Sequence, residues 1–257
     1  MQTILLVTVN IDSELAEIRA QSPREREREA MYRKSITYIK ARVFVSFESV
    51  VVMTQPLQHP FTAIVAGPTG CGKTNFVFRL VENASKMIEP IPEDIWYCYG
   101  EFQPLFNQYP RVKFHEGLPD FTKFDGRRPV LLIIDDLMSE TNDTVAHLFT
   151  KGSHHRNVSV LYLTQNLFHK NRHMRTISLN SHYIVLFKNP RDAGQFCVLA
   201  RQMYPSGSKF AEEAYRDATE RPFGYLFVDL KPQQDEQYRL RTNIFPGENQ
   251  YVYVRKA

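Results

Sequence analysis

Gly67-Pro68-Thr69-Gly70-Cys71-Gly72-Lys73-Thr74 is a complete Walker A phosphate loop, and its reading decides the fold. The apolar run Phe61-Thr62-Ala63-Ile64-Val65-Ala66 precedes it, and the helix-like Asn75-Phe76-Val77-Phe78-Arg79-Leu80-Val81 follows. In that setting the glycines let backbone N–H groups turn inward around phosphate oxygens. The new helix presents its positive end to them, and Lys73 adds a point charge between the β- and γ-phosphates. The Thr74 hydroxyl is placed to bind Mg2+. A Gly-rich octapeptide can be an ordinary strand-to-helix turn, but the Lys-Thr pair and the strand-then-helix context favour nucleoside triphosphate binding by residues Gly67 to Thr74.

Working outward, strands and helices alternate from Phe61 onward, which predicts a mainly parallel α/β sheet flanked by helices. Strands are expected at 61–66, 94–99, 130–135, 158–164, 182–187 and 223–229. Helices are expected at 73–88, 101–108, 142–152, 191–203 and 208–219. Tyr238 to Phe245 and Tyr251 to Val254 read as one or two further short strands. Val130-Leu131-Leu132-Ile133-Ile134 ends in Asp135-Asp136, the pattern of a buried parallel strand that delivers carboxylates to its C-terminal end. This resembles Walker B, in which Asp135 would hold Mg2+ and Asp136 would orient the attacking water. Acids also cap strand ends in α/β folds generally, and an Asp at the second place reaches one methylene less far than a Glu. The next strand ends at Gln165, which can donate to the γ-phosphate or to the lytic water and equally suits a loop-start cap. Trp96, Tyr97 and Tyr99 read as packing residues on a strand beside the core.

The 257 residues suffice for one large α/β core with a small appendage, and a formal charge of +4 permits a polyanionic partner without requiring one. Cys71, Cys98 and Cys197 show no paired spacing, so neither a disulfide framework nor a zinc site is suggested, and a reducing, intracellular setting is expected. No apolar run is long enough to cross a bilayer, which points to a soluble protein. Residues 1–55 read as an N-terminal extension and 56–257 as the P-loop domain, with the boundary near Thr54 to Pro60. In the extension, Arg24-Glu25-Arg26-Glu27-Arg28-Glu29 leaves no apolar stripe and reads as a solvated helix or a link, while Ile39 to Met53 reads as a strand or hairpin arm. Met53 offers an alternative start.

The stretches Phe61 to Thr74, Ile95 to Glu101, His115-Glu116-Gly117-Leu118-Pro119, Asp135-Asp136-Leu137 and Thr164-Gln165-Asn166-Leu167-Phe168 together resemble the genome-packaging ATPases of Polinton/Maverick elements, adintoviruses and related large DNA viruses. These belong to the FtsK/HerA superfamily of P-loop NTPases. The resemblance runs from about Pro56 to Val254 and includes Lys188-Asn189-Pro190-Arg191-Asp192 and Leu240 to Pro246. It implies a RecA-like core, hydrolysis of ATP with Mg2+, a homo-oligomeric ring, translocation of double-stranded DNA and capsid proteins as partners. The setting it implies is a host nucleus, a cytoplasmic viral assembly site or the virion. A ring motor of this kind completes its site with an arginine from the neighbouring subunit, and Arg156, just ahead of the Gln165 strand, is the candidate. A solvated loop arginine is the plainer reading. Phe168 to Arg175 concentrates Lys170, Arg172 and Arg175, which could hold DNA backbone phosphates without reading sequence, or simply form a solvated basic loop. His169 and His173 have the spacing of two helical metal ligands but lack a third, and His154-His155 read as surface or interface residues. Two other functions fit parts of the pattern: a P-loop nucleotide or polynucleotide kinase, and a non-hydrolysing ATP-binding scaffold derived from an integrated viral element.

Overall fold

The computed structural model describes residues 47–51, 56–135, 137, 143–168, 172–192 and 194–255. Asp136, His169, Lys170 and the charged run from Ser22 to Ser35 lie outside these residues, as do the side chains of 47–51, His154 and Arg172. A ten-stranded sheet has the order β1-β12-β11-β10-β9-β3-β8-β7-β5-β6. The strands are β1 Phe47–Val51, β3 Thr62–Ala66, β5 Asp94–Tyr99, β6 Lys113–Glu116, β7 Val130–Asp135, β8 Val158–Thr164, β9 Tyr183–Phe187, β10 Tyr225–Asp229, β11 Leu240–Thr242 and β12 Tyr251–Arg255. A separate two-stranded pair joins β2 Leu57–Gln58 to β4 Ile88–Glu89. The described α-helices are α1 Lys73–Glu82, α2 Ala84–Met87, α3 Asp143–His147, α4 Ser153–Arg156, α5 Arg172–Leu179, α6 Gly194–Met203 and α7 Ser208–Ala218. From β9 to β6 all neighbours are parallel, and from β9 to β1 they are antiparallel. The strand that leads into the phosphate loop, β3, is separated from the Asp135 strand, β7, by β8, which is the order of RecA-like P-loop NTPases.

The centre of this sheet follows from composition. The five residues of β3 and all seven of β8 are buried, as are Val130 to Ile134 of β7. Continuous apolar runs of this kind belong to strands covered on both faces. Helix α1 seats the loop against the sheet through Phe76, Val77, Phe78 and Leu80. Phe78 stacks on Tyr97 with ring centroids 5.4 Å apart and on Tyr109 at 4.1 Å. On the other side Phe76 meets Tyr225 and Phe245 edge-on at 4.9 and 5.1 Å. One short helix therefore ties the β5–β6 end of the core to the β9–β10 end, and the loop that begins it is held from both sides.

The opposite, N-terminal edge of the central strands is closed by polar side chains. Ser159 accepts from the Phe61 amide at 3.1 Å and donates to Nδ1 of His59, whose Nε2 donates to Oδ1 of Asn157 at 2.9 Å. This tautomer satisfies all three groups, and burial holds the imidazole below its ordinary range and so neutral. Ser159 is fully buried, so the hydroxyl–imidazole–amide chain is a clamp and not a nucleophile. Nearby, Arg241 donates to Asp229 at 2.9 Å, both side chains being almost completely enclosed, with the guanidinium 4.8 Å above the Phe227 ring.

Three expectations change. The helix expected at 101–108 is a 3-10 turn at Pro104–Gln108, because Pro104 can only start a helix and Pro110 stops one. Strand β6 has no counterpart among the expected strands, since Lys113-Phe114-His115-Glu116 is short, polar and at the sheet's edge. The helix expected at 73–88 breaks at Asn83, where α2 begins before the chain extends into β4. The arm expected within Ile39 to Met53 is β1, which pairs with β12 from Phe47↔Arg255 to Val51↔Tyr251, on the N-terminal side of the boundary expected near Thr54.

Candidate nucleotide site

Strand register brings the sequence motifs to one edge of the sheet. Ala66 is opposite Thr164, and Asp135 is opposite both Leu163 and Tyr99. The Gly67 amide donates to the Thr164 carbonyl at 3.1 Å, fastening the loop to the end of the Gln165 strand. A side chain at Gly67 has no room, since a Cβ there would stand 2.7 Å from both Phe187 Cβ and Cys71 Sγ. Gly72, at φ +106°, turns the chain into α1 in a conformation that favours glycine. Lys73 Nζ donates to the carbonyls of Gly67 and Pro68 at 2.6 and 3.1 Å, so the loop cradles its own ammonium. Burial pushes the Cys71 thiol up, and the Lys73 charge only partly offsets this. Thr69, Gly70 and Gly72 to Asn75, with Gln103, Asp135, Leu163, Thr164, Gln165 and Phe223, line a cavity of about 290 Å³.

Thr74 and Asp135 are joined through a residue whose sequence signature is packing alone. The Tyr97 hydroxyl donates to Asp135 Oδ2 at 2.6 Å and lies beside the Thr74 hydroxyl. Burial, and the Asp135 carboxylate beside it, push the phenol far above its ordinary range, so it remains a donor. A hydroxyl and a carboxylate sharing one rigid partner form a hard oxygen pair of the kind Mg2+ takes, and the adjoining loop offers backbone N–H groups to phosphate. The residues therefore fit a magnesium nucleotide. Tyr97→Phe keeps the stacked ring and deletes only this donor. The expected result is a Mg2+ requirement for turnover raised by about 10- to 100-fold, measured by titrating Mg2+ at saturating ATP with thermal melting as the fold control. An unchanged Mg2+ profile would remove Tyr97 from the site.

Gln165 is exposed and lines both this cavity and a second one of about 460 Å³ on the outer flank of the loop, shared with Pro68, Thr69, Asn189 and Arg191. Arg191 and Gln103 are thus polar side chains at the site that no sequence motif singles out. Arg191 stands in the Lys188 to Asp192 stretch, where only the family resemblance drew notice to it. Arg156 is elsewhere: it precedes β8 at the opposite edge of the sheet and donates to the Phe121 carbonyl. The seven residues of β8 separate it from Gln165, about 20 Å at the usual strand rise. Arg175 is exposed on α5. His173 lies in the same helix, 3.3 Å from Asp143, and among the described residues no cluster of three His, Cys, Asp or Glu side chains could hold a metal. His155 is exposed, and Trp96 packs edge-on against Phe124 at 5.7 Å. No described helix is long and apolar enough to cross a membrane.

No protein-family profile and no curated protein matches the sequence. Among solved structures the chain is similar to the genome packaging NTPase B204 of Sulfolobus turreted icosahedral virus 2 in complex with ATPγS, with 13% identity and a TM-score of 0.44 over 68% of this chain and 94% of that one. It is similar to the cytoplasmic domain of the Thermomonospora curvata type VII secretion ATPase EccC, with 11% identity and a TM-score of 0.44, over 76% of this chain and a quarter (25%) of that one. It is also similar to the KaiC-like protein PH0186 of Pyrococcus horikoshii, with 13% identity and a TM-score of 0.40 over 76% and 90% of the two chains. The P-loop NTPase fold rests on the strand order and loop geometry of the chain itself.

Proposed function

We propose that this protein is an ATPase of the FtsK/HerA type that works as a ring and drives double-stranded DNA into a capsid, as the resemblance to Polinton and adintovirus packaging ATPases implies. The observation that carries the reading is the meeting of the loop, Asp135 and Gln165 at one sheet edge, with β8 inserted between the loop strand and the Asp135 strand. In this reading the Gly67 to Thr74 amides and Lys73 hold the β- and γ-phosphates. Thr74 and Asp135 would hold Mg2+, which supplies charge neutralisation across the phosphates when bound. Asp136 orients water, and Gln165 responds to the γ-phosphate. Lys170, Arg172 and Arg175 hold DNA backbone phosphates without reading sequence. For Arg156 to act on a neighbouring subunit's nucleotide, it must exchange the Phe121 carbonyl for a phosphate. Host nucleus, cytoplasmic assembly site and virion all suit this role.

The test is phosphate release from ATP with no acceptor, with and without duplex DNA, across a salt series. The reading expects stimulation by duplex DNA of any sequence that falls steeply with salt, and an Arg175→Ala variant whose log–log salt slope is shallower by about 1. Transfer of phosphate to a nucleoside or polynucleotide end would establish the kinase instead. Tight ATP binding with no turnover would establish the scaffold.

A further inference from the structure

We infer that Phe223 is the stacking platform for the nucleotide base, so that this site holds a nucleoside triphosphate by its base as well as by its phosphates. The inference rests on the nucleotide reading of the site and deepens it. Two independent features of Phe223 carry it. The first is its backbone. Arg221 to Gly224 form a turn closed by the Gly224 amide on the Arg221 carbonyl at 3.0 Å, with Pro222 second and Phe223 third at φ +62°. That is the position of a type II turn where glycine or asparagine is ordinary and a bulky aromatic is an outlier. The turn packs closely on the end of α7, since a Cβ on Gly224 would stand 2.5 Å from the Ala218 carbonyl. Strain of this kind persists where surroundings impose it, and it gathers at ligand sites.

The second feature is where the ring goes. Phe223 is 66% exposed, and of the large apolar side chains that stand exposed among the described residues it alone lines the phosphate cavity. Its Cδ1 lies 3.2 Å from the point a Gly72 Cβ would occupy, so the missing side chain at Gly72 admits the ring to the loop. Lys73, Thr74 and Asn75 line the same cavity, which places a flat apolar surface beside the group that receives the phosphates. A strained phenyl ring left mostly in water gains from a planar aromatic partner. The ring offers no hydrogen bond by which to read base edges, so it does not discriminate among bases.

The experiment uses the full chain and its Phe223→Gly and Phe223→Tyr variants, titrated calorimetrically with ATP and with inorganic tripolyphosphate in the presence of Mg2+. Glycine is at home at positive φ, so Phe223→Gly is expected to fold, checked by thermal melting. Its ATP affinity is expected to fall about tenfold or more, the loss of one base–aromatic stack, while tripolyphosphate binding is unchanged. Phe223→Tyr is expected to bind ATP as the wild type does. The platform is overturned if Phe223→Gly binds ATP normally, including the case in which only its self-association changes, or if ATP and tripolyphosphate weaken in parallel. A wild-type chain that binds neither ligand instead removes the nucleotide reading, and this inference with it.

Discussion

Lys73→Ala is expected to reduce ATP turnover by about 10³-fold or more, on the order of 4 kcal/mol of transition-state stabilisation. The ammonium sits in the mouth of the loop, 2.6 and 3.1 Å from the Gly67 and Pro68 carbonyls, and among the described residues no other cation lines the cavity formed with Thr74 and Asp135. Arg191 lines only the outer flank and cannot take its place from there. Deleting Lys73 therefore removes the positive charge that meets the terminal phosphates, and it leaves two loop carbonyls without their donor. Both effects act on binding as well as on chemistry. Asp136→Asn makes the informative contrast: ATP stays bound while hydrolysis slows by orders of magnitude, as expected for loss of a water-orienting group. Phosphate release and equilibrium nucleotide binding, measured side by side, check the pair. Near-normal turnover by Lys73→Ala, in protein that melts like the wild type, would place the chemistry somewhere other than this loop.

The largest expected effect on stability comes from the other end of the sheet. Arg241→Met is expected to cost about 3–5 kcal/mol and lower the melting temperature by roughly 10 °C, because it strands the Asp229 carboxylate in the core. Burial already pushes that carboxyl up, and the Arg241 charge only partly offsets the push. The Lys231 amide, which donates to Asp229 at 3.1 Å, remains but cannot replace a guanidinium. Replacing both partners, Asp229→Leu with Arg241→Met, is expected to recover most of the loss, since an apolar pair of similar volume demands no desolvation. Urea unfolding of the single and double variants checks this. A cost below about 1 kcal/mol for Arg241→Met would mean that water reaches the pair.

The parts of the fold that are legible in sequence are those in which local chemistry and tertiary role coincide. Val130–Asp135 and Val158–Thr164 fall where expected because a short run dominated by β-branched, aliphatic and aromatic residues, bounded by polar ones, suits a central parallel strand. The phosphate loop is legible for the same reason, its glycines answering to a sharp turn and to the closeness of Phe187. The edges are less so. Lys113–Glu116 joins the sheet because its neighbour Asp94–Tyr99 offers a free side, and not through its own composition. The stretch 101–108 shows a different kind of miss: its apolar spacing suits a helix, but Pro104 and Pro110 confine it to one turn.

What sequence cannot supply is register. Tyr97 and Asp135 are 38 residues apart, and only the pairing of β5 with β7 brings the phenol to the carboxylate. An aromatic strand residue therefore reads as packing, which it also is. Arg156 and Gln165 flank the same strand in sequence, yet a strand separates its two ends by its full length, so residues close along the chain stand at opposite edges. Pro222 and Gly224 do signal a turn before β10, but nothing local shows that the turn closes on Gly72.

The pairing of β1 with β12 places a strand from the N-terminal side of Met53 on the sheet of the phosphate loop. Removing Phe47–Val51 would shift the sheet's end from β1 to β12 and bare the outer backbone amides and carbonyls of Tyr251–Arg255 to solvent. Such a naked border is a template on which any extended peptide can add itself.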